Sequence, residues 1–108
     1  MYYHDPKERL EKELAPGVRT RTFWGDNMLL SLVEIDPDCE VPRHTHPHEQ
    51  GGMVTEGKLE MDVGGELKVL GPGEVYIIPG GVEHWVKAGN STTKVLDIFS
   101  PVREEFKY

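Results

Sequence analysis

What most limits the fold of this chain is how often its β-prone runs are cut by turn residues. Residues 18–24, Val-Arg-Thr-Arg-Thr-Phe-Trp, stop at Gly25-Asp26-Asn27, and residues 28–35 stop at Asp36-Pro37-Asp38. Residues 58–63 alternate cleanly, with Leu59, Met61 and Val63 on one face, before Gly64-Gly65. Gly71-Pro72-Gly73, Pro79-Gly80-Gly81 and Gly89-Asn90 divide the remainder into further short runs, the last being residues 94–99. Apolar alternation with period two, bounded by Gly, Pro, Asn and Asp, marks strands. About eight or nine short strands at near-regular spacing predict an antiparallel all-β sandwich or barrel. Glu56-Gly57, between residues 53–55 and 58–63, reads as a hairpin turn.

Only the start of the chain breaks this pattern. Asp5 as N-cap, Pro6 at the first position and Glu8 at the third make a helix start, and Leu10 and Leu14 lie four apart. A short N-terminal helical segment of at most about three turns is expected, ended by Pro16-Gly17. His4 lies outside any pattern and reads as a solvated tail residue. Phe23 and Trp24, at a strand end, read as core or interface rather than as the lining of a pocket.

At 108 residues the chain is expected to be one domain, spanning residues 1–108. Its 12 basic and 19 acidic residues give a net charge of −7. With no basic stripe, neither a nucleic-acid backbone nor an anionic membrane surface is an expected partner. Cys39 is alone, which rules out an intrachain disulfide and suits a reducing compartment. Its neighbours Asp38 and Glu40 are acidic, which argues against a nucleophilic thiolate. No apolar run marks a leader or a membrane span, so a cytoplasmic location is expected.

Three of the five histidines fall within His44-Thr45-His46-Pro47-His48-Glu49-Gln50. Side chains alternate along an extended chain, so His44, His46 and Gln50 share a parity and can face one interior point. The prolines around them keep the segment extended and unlike a central ladder strand. A fourth histidine, His84, ends a second patterned stretch that begins at Gly73. Imidazoles converging from neighbouring strands make a site for a divalent transition metal.

The pattern His44-x-His46-x3-Gln50-x6-Gly57, then Gly73-x5-Pro79-x-Gly81-x2-His84, resembles the paired motifs of the cupin superfamily. The 15 residues between the motifs match its small single-domain members. The resemblance implies an antiparallel jelly-roll β-barrel holding one metal in its mouth, with His44, His46, Gln50 and His84 as ligands. Ni, Zn, Fe or Mn would suit such a set. The usual acidic third ligand is replaced by Gln50, with Glu49 beside it. Three neutral imidazoles and a neutral amide leave the charge of the ion uncompensated, making it a stronger Lewis acid. His48 shares the parity but lies between two better-placed ligands, and reads as a pocket or substrate-binding residue.

Asp97 lies inside Val95-Leu96-Asp97-Ile98-Phe99, where an inward carboxylate is costly unless it is paired or used. An ion pair with Arg103 is the plain structural account. The run from Asp97 to Phe106, together with the histidine stretch, resembles the cupins that ketonise 4,5-unsaturated uronate monosaccharides in pectin and alginate breakdown. By that resemblance Asp97 would handle protons, Phe99 would line the pocket, and Arg103 would hold the substrate carboxylate. The expected protein is therefore a homodimeric metal-dependent lyase or isomerase acting on a small anionic sugar or organic acid. The same fold and ligands also serve non-catalytic sugar- or acid-binding cupins and metal-dependent dioxygenases, since fold alone does not choose.

Overall fold

The computed structural model describes residues 2–108. Among them ten strands form: β1 Lys12–Ala15, β2 Val18–Trp24, β3 Leu29–Ile35, β4 Glu40–His44 and β5 Glu49–Glu56, then β6 Leu59–Val63, β7 Glu66–Leu70, β8 Val75–Ile78, β9 His84–Ala88 and β10 Thr93–Ser100. They make two antiparallel sheets, a six-stranded one ordered β1-β2-β3-β10-β5-β8 and a four-stranded one ordered β4-β9-β6-β7. This is the antiparallel all-β architecture expected from the strand pattern, in the jelly-roll form that the family resemblance implies. No helix among these residues is long and apolar enough to cross a membrane.

Period-two burial builds the core. In β2, β3 and β10 the buried positions alternate with more exposed ones along nearly the whole strand. Val18, Ile35, Val54 and Ile78 from one sheet pack against Leu59, Met61, Leu70 and Ala88 from the other. The inward face is not uniformly apolar. Thr20, Thr22, Ser31, Gln50 and Asp97 are also buried.

The N-terminal helix does not form. Asp5 caps as expected, accepting from the Lys7 amide, but only one 3-10 turn, Pro6–Glu8, follows. Residues 12–15 instead turn back across Pro16-Gly17 and pair with β2. A helix of about three turns with two apolar residues is marginal, whereas β1 gains a ladder along a strand that would otherwise be an edge. Val18–Trp24 is therefore covered on both sides, and the edges of its sheet are β1 and β8.

Glu56-Gly57 is not a hairpin turn. β5 and β6 belong to different sheets, so the turn is a corner carrying the chain across the barrel. Gly57 has φ +82°, and a Cβ there would overlap Thr92 and Thr93. Trp24 lies on the surface, 39% exposed, with the Arg9 guanidinium 4.7 Å above its ring. The same guanidinium donates to the carbonyls of Thr22 and Tyr108.

Candidate metal centre and adjoining cavity

The two motifs meet because β4 and β9 pair, with His44 directly opposite His84. β4 is the edge strand of its sheet, where Pro42 removes no needed ladder bond. The two loops are tied where the Gly81 amide donates to the His46 carbonyl. Gln50 follows as the second residue of β5, on the other sheet. Donor atoms of His44, His46 and His84 lie within 4.8 Å of one another.

All three imidazoles are held in one tautomer by backbone carbonyls. Nδ1 of His44 lies 2.8 Å from the Pro42 oxygen, that of His46 3.1 Å from the His48 oxygen, and that of His84 2.9 Å from the Val82 oxygen. A carbonyl can only accept, so each Nδ1 carries the proton and each Nε2 presents a lone pair. Nε2 of His84 is buried without a hydrogen-bond partner. Nε2 of His46 faces Gln50 Oε1 at 3.1 Å, two acceptors aimed at one another. Converging lone pairs with no proton among them fit a cation, and these residues fit a divalent metal.

Electrostatics favour the neutral form of two of the rings, His46 and His84. Burial above all, then the nearby charges of Arg103 and His84, pushes His46 down to about 4. Burial also lowers His84. Neutral imidazoles are the ligating form, so His46 and His84 are ready for metal without prior deprotonation at neutral pH.

Asp97 faces the same space from the middle of β10. Burial pushes its carboxyl up to about 6, against the pull of Tyr76, Gln50 and Arg103. Tyr76 donates its hydroxyl to Asp97 Oδ1, and burial beside that carboxylate raises the phenol well above its ordinary value. Gln50 is among the groups that pull the Asp97 carboxyl down. With its oxygen turned to His46, Gln50 has its amide N–H₂ left free of that contact. A glutamate there would instead set a second carboxylate against Asp97, which gives this barrel a reason to carry an amide.

A cavity of about 340 Å³ joins these groups, lined by His44, His84, Gln50, Asp97, Phe99 and Arg103 among others. Its deeper wall is apolar, formed by residues such as Val33, Ile35, Leu59 and Met61. The Arg103 guanidinium lies 3.9 Å from the Phe106 ring centre and 5.1 Å from that of Phe99. Its Nε donates to Glu105 at 2.7 Å. No Asp97–Arg103 ion pair forms among the described residues; each takes another partner.

The structure thus brings together His44, His46, Gln50, His84, Asp97, Phe99 and Arg103. His48 stands apart from the cavity lining, its ring 5.7 Å from that of His46 and its Nδ1 buried without a partner. Its backbone oxygen, rather than its ring, bears on the centre, by accepting from His46 Nδ1. Sequence reasoning gave no role to Tyr76, Glu105, Phe106 or Ser31. The register pairing Tyr76 with Gly52 is the signal for the first, and it is visible only in the folded sheet.

A jelly-roll barrel with three histidines and a glutamine converging at its mouth defines a cupin. A family model described as cupin domain matches residues 31–99, and the chain belongs to that family. It is 27% identical over 107 residues to the pectin degradation protein KdgF of Dickeya dadantii, covering 97% of this chain and 96% of that one. The structure of KdgF from Halomonas sp. superposes with a TM-score of 0.90 at 25% identity, over 97% of each chain. An RmlC-like cupin from Shewanella frigidimarina shares the fold with a TM-score of 0.91 at 24% identity, over 98% of this chain and 96% of that one.

Proposed function

We propose that this cupin binds one divalent transition metal through His44, His46, Gln50 and His84 and acts on a small carboxylated sugar. The specific reaction is ketonisation and ring opening of 4,5-unsaturated uronate monosaccharides, an isomerisation. The observation that carries this reading is that a cluster of three imidazole donors adjoins one cavity that also receives the Asp97 carboxyl, raised to about 6, and the Arg103 side chain. The likeness to the pectin degradation protein KdgF supports the substrate class.

When bound, the metal would supply a Lewis acid that orients and polarises substrate oxygens. Arg103, held by two aromatic faces and by Glu105 at Nε, keeps its terminal N–H groups for the uronate carboxylate. Asp97, poised near neutrality, takes the proton from the anomeric hydroxyl as the ring C–O bond opens. It returns that proton to C4 as the released enolate becomes a ketone. Atoms balance, since one proton leaves oxygen and one arrives at carbon. The apolar deep wall excludes water from that exchange.

The test is loss of ultraviolet absorbance from a 4,5-unsaturated uronate monosaccharide with metal-loaded protein, against the spontaneous rearrangement. No acceleration would remove the uronate assignment.

The chain is further proposed to be a single cupin domain, to act in the cytoplasm, where a lone Cys39 stays reduced, and to pair as a homodimer. Rows Ile77–Gly51–Ile98–Leu30 and Val75–Met53–Leu96–Leu32 run in register across four adjacent strands. Their outward side chains include Val75 at 67% and Ile77 at 68% exposure, an apolar face suited to a second copy of itself.

A further inference from the structure

Asp97 and Tyr76 are bonded although their strands do not touch. β8 and β10 both pair with β5, which runs between them, and Tyr76, Gly52 and Asp97 occupy one inward row. Any side chain at position 52 would stand in the way. A Cβ on Gly52 would overlap both the Tyr76 ring and hydroxyl and the Asp97 carboxylate oxygen. The glycine leaves a slot one strand wide, and the tyrosine reaches through it to its partner.

We propose that Tyr76 is a positioning residue for Asp97 and that Gly52 is the gap that lets it act. The proposal rests on the reading of Asp97 as the proton-handling group. An aspartate carboxyl rotates broadly about its last bond, so unanchored it would present either oxygen to a substrate at random angles. A general acid or base must hold one oxygen within hydrogen-bond reach of the reacting atom. The Tyr76 hydroxyl fixes Oδ1 from across β5, beyond the Gly52 gap. An anchor on one oxygen, reaching in from two strands away, restricts rotation of the carboxyl group. The charge-assisted bond from a buried phenol is of the stronger kind. Tyr76 suits the task because a rigid ring on two torsions carries its hydroxyl across β5 without a flexible stem.

A merely structural tyrosine would satisfy a buried acid and do nothing else, so the experiment separates the two. Tyr76→Phe, metal-loaded, is expected to lower kcat by about 10- to 100-fold, the scale of a misplaced catalytic group, with KM within about twofold. In an Asp97→Asn background the same change should cost nothing further, because the group it positions has gone. Gly52→Ala should lower kcat in the same way by pushing ring and carboxylate apart. A Tyr76→Phe protein with reduced thermal stability and unaltered kcat would overturn the proposal. A second readout needs no turnover: the infrared carboxyl band of Asp97, assigned by its absence in Asp97→Asn, should shift and broaden in Tyr76→Phe and in Gly52→Ala. If the unmutated protein leaves the uronate untouched, that reading of function fails, and the band alone decides on positioning. A band unchanged by Tyr76→Phe overturns it.

Discussion

Gln50 Oε1 lies 3.1 Å from His46 Nε2, and neither atom has a hydrogen to offer the other. Two acceptors face to face are unfavourable until a cation joins them. Purified protein should therefore carry about one divalent ion per chain with open positions for water or ligand. His46→Ala or His84→Ala should strip it, since each removes a lone pair from the centre. His48→Ala should retain it, because the His48 ring supplies no donor atom to the cluster. Elemental analysis of the three variants checks this, and equal loss in all three would refute the ligand set.

Asp97→Asn keeps the shape of the side chain and removes its proton chemistry. Turnover should fall by about 10²-fold or more, with metal content unchanged. Arg103→Lys preserves charge but loses the planar fork stacked on Phe106, so its main effect should be a raised KM for the uronate. Steady-state kinetics on the two variants separate proton transfer from anchoring.

Acidification should expose the opposed titrations at the centre. His46 has a folded value of about 4, below its usual 6.5, so its contribution is complete above 6.5 and is lost as pH falls towards 4. His84 shifts in the same direction. Asp97 runs the other way, from 3.8 up to about 6, so its contribution is present at low pH and lost as pH rises through 6. Two histidines outweigh one acid, and the melting temperature of chelated protein should fall between pH 7 and 4.5. Asp97→Asn should fall more steeply, since the compensating proton uptake is gone. Calorimetry across that range provides the check.

A second copy covering the apolar sheet face predicts a solution mass of twice 12.2 kDa by light scattering. Ile77→Lys, which places a charge at a position 68% exposed in the single chain, should give the single mass while leaving metal content intact. A single mass for the unmutated protein at micromolar concentration would end this reading.

Val18–Trp24 was legible as a strand because its alternation and its closing turn agree. His44, His46, Gln50 and His84 were legible because motif spacing survives without knowledge of which strands pair. Residues 5–15 misled because a capped start and two leucines favour a helix locally, while the ladder that wins lies in the next strand. Glu56-Gly57 misled for a related reason: Leu59 and Met61 alternate identically whether their strand returns beside β5 or crosses to the other sheet. Tyr76 stayed hidden because its partner is 21 positions away and two strands over. No local pattern encodes that neighbour.

His44 and His84 belong to the four-stranded sheet, and Gln50 to the six-stranded one. An ion held by all of them would be a cross-link, a clasp closing the barrel at one end. The opposite end needs none, being sealed by Val18, Ile35, Val54 and Leu59. Chelation should then loosen the molecule asymmetrically. Backbone amides near His44, Gln50 and His84 would exchange with solvent faster, while those around Ile35 and Val54 kept their protection. The barrel would behave as a purse whose drawstring is the metal, with a fixed seam at its base.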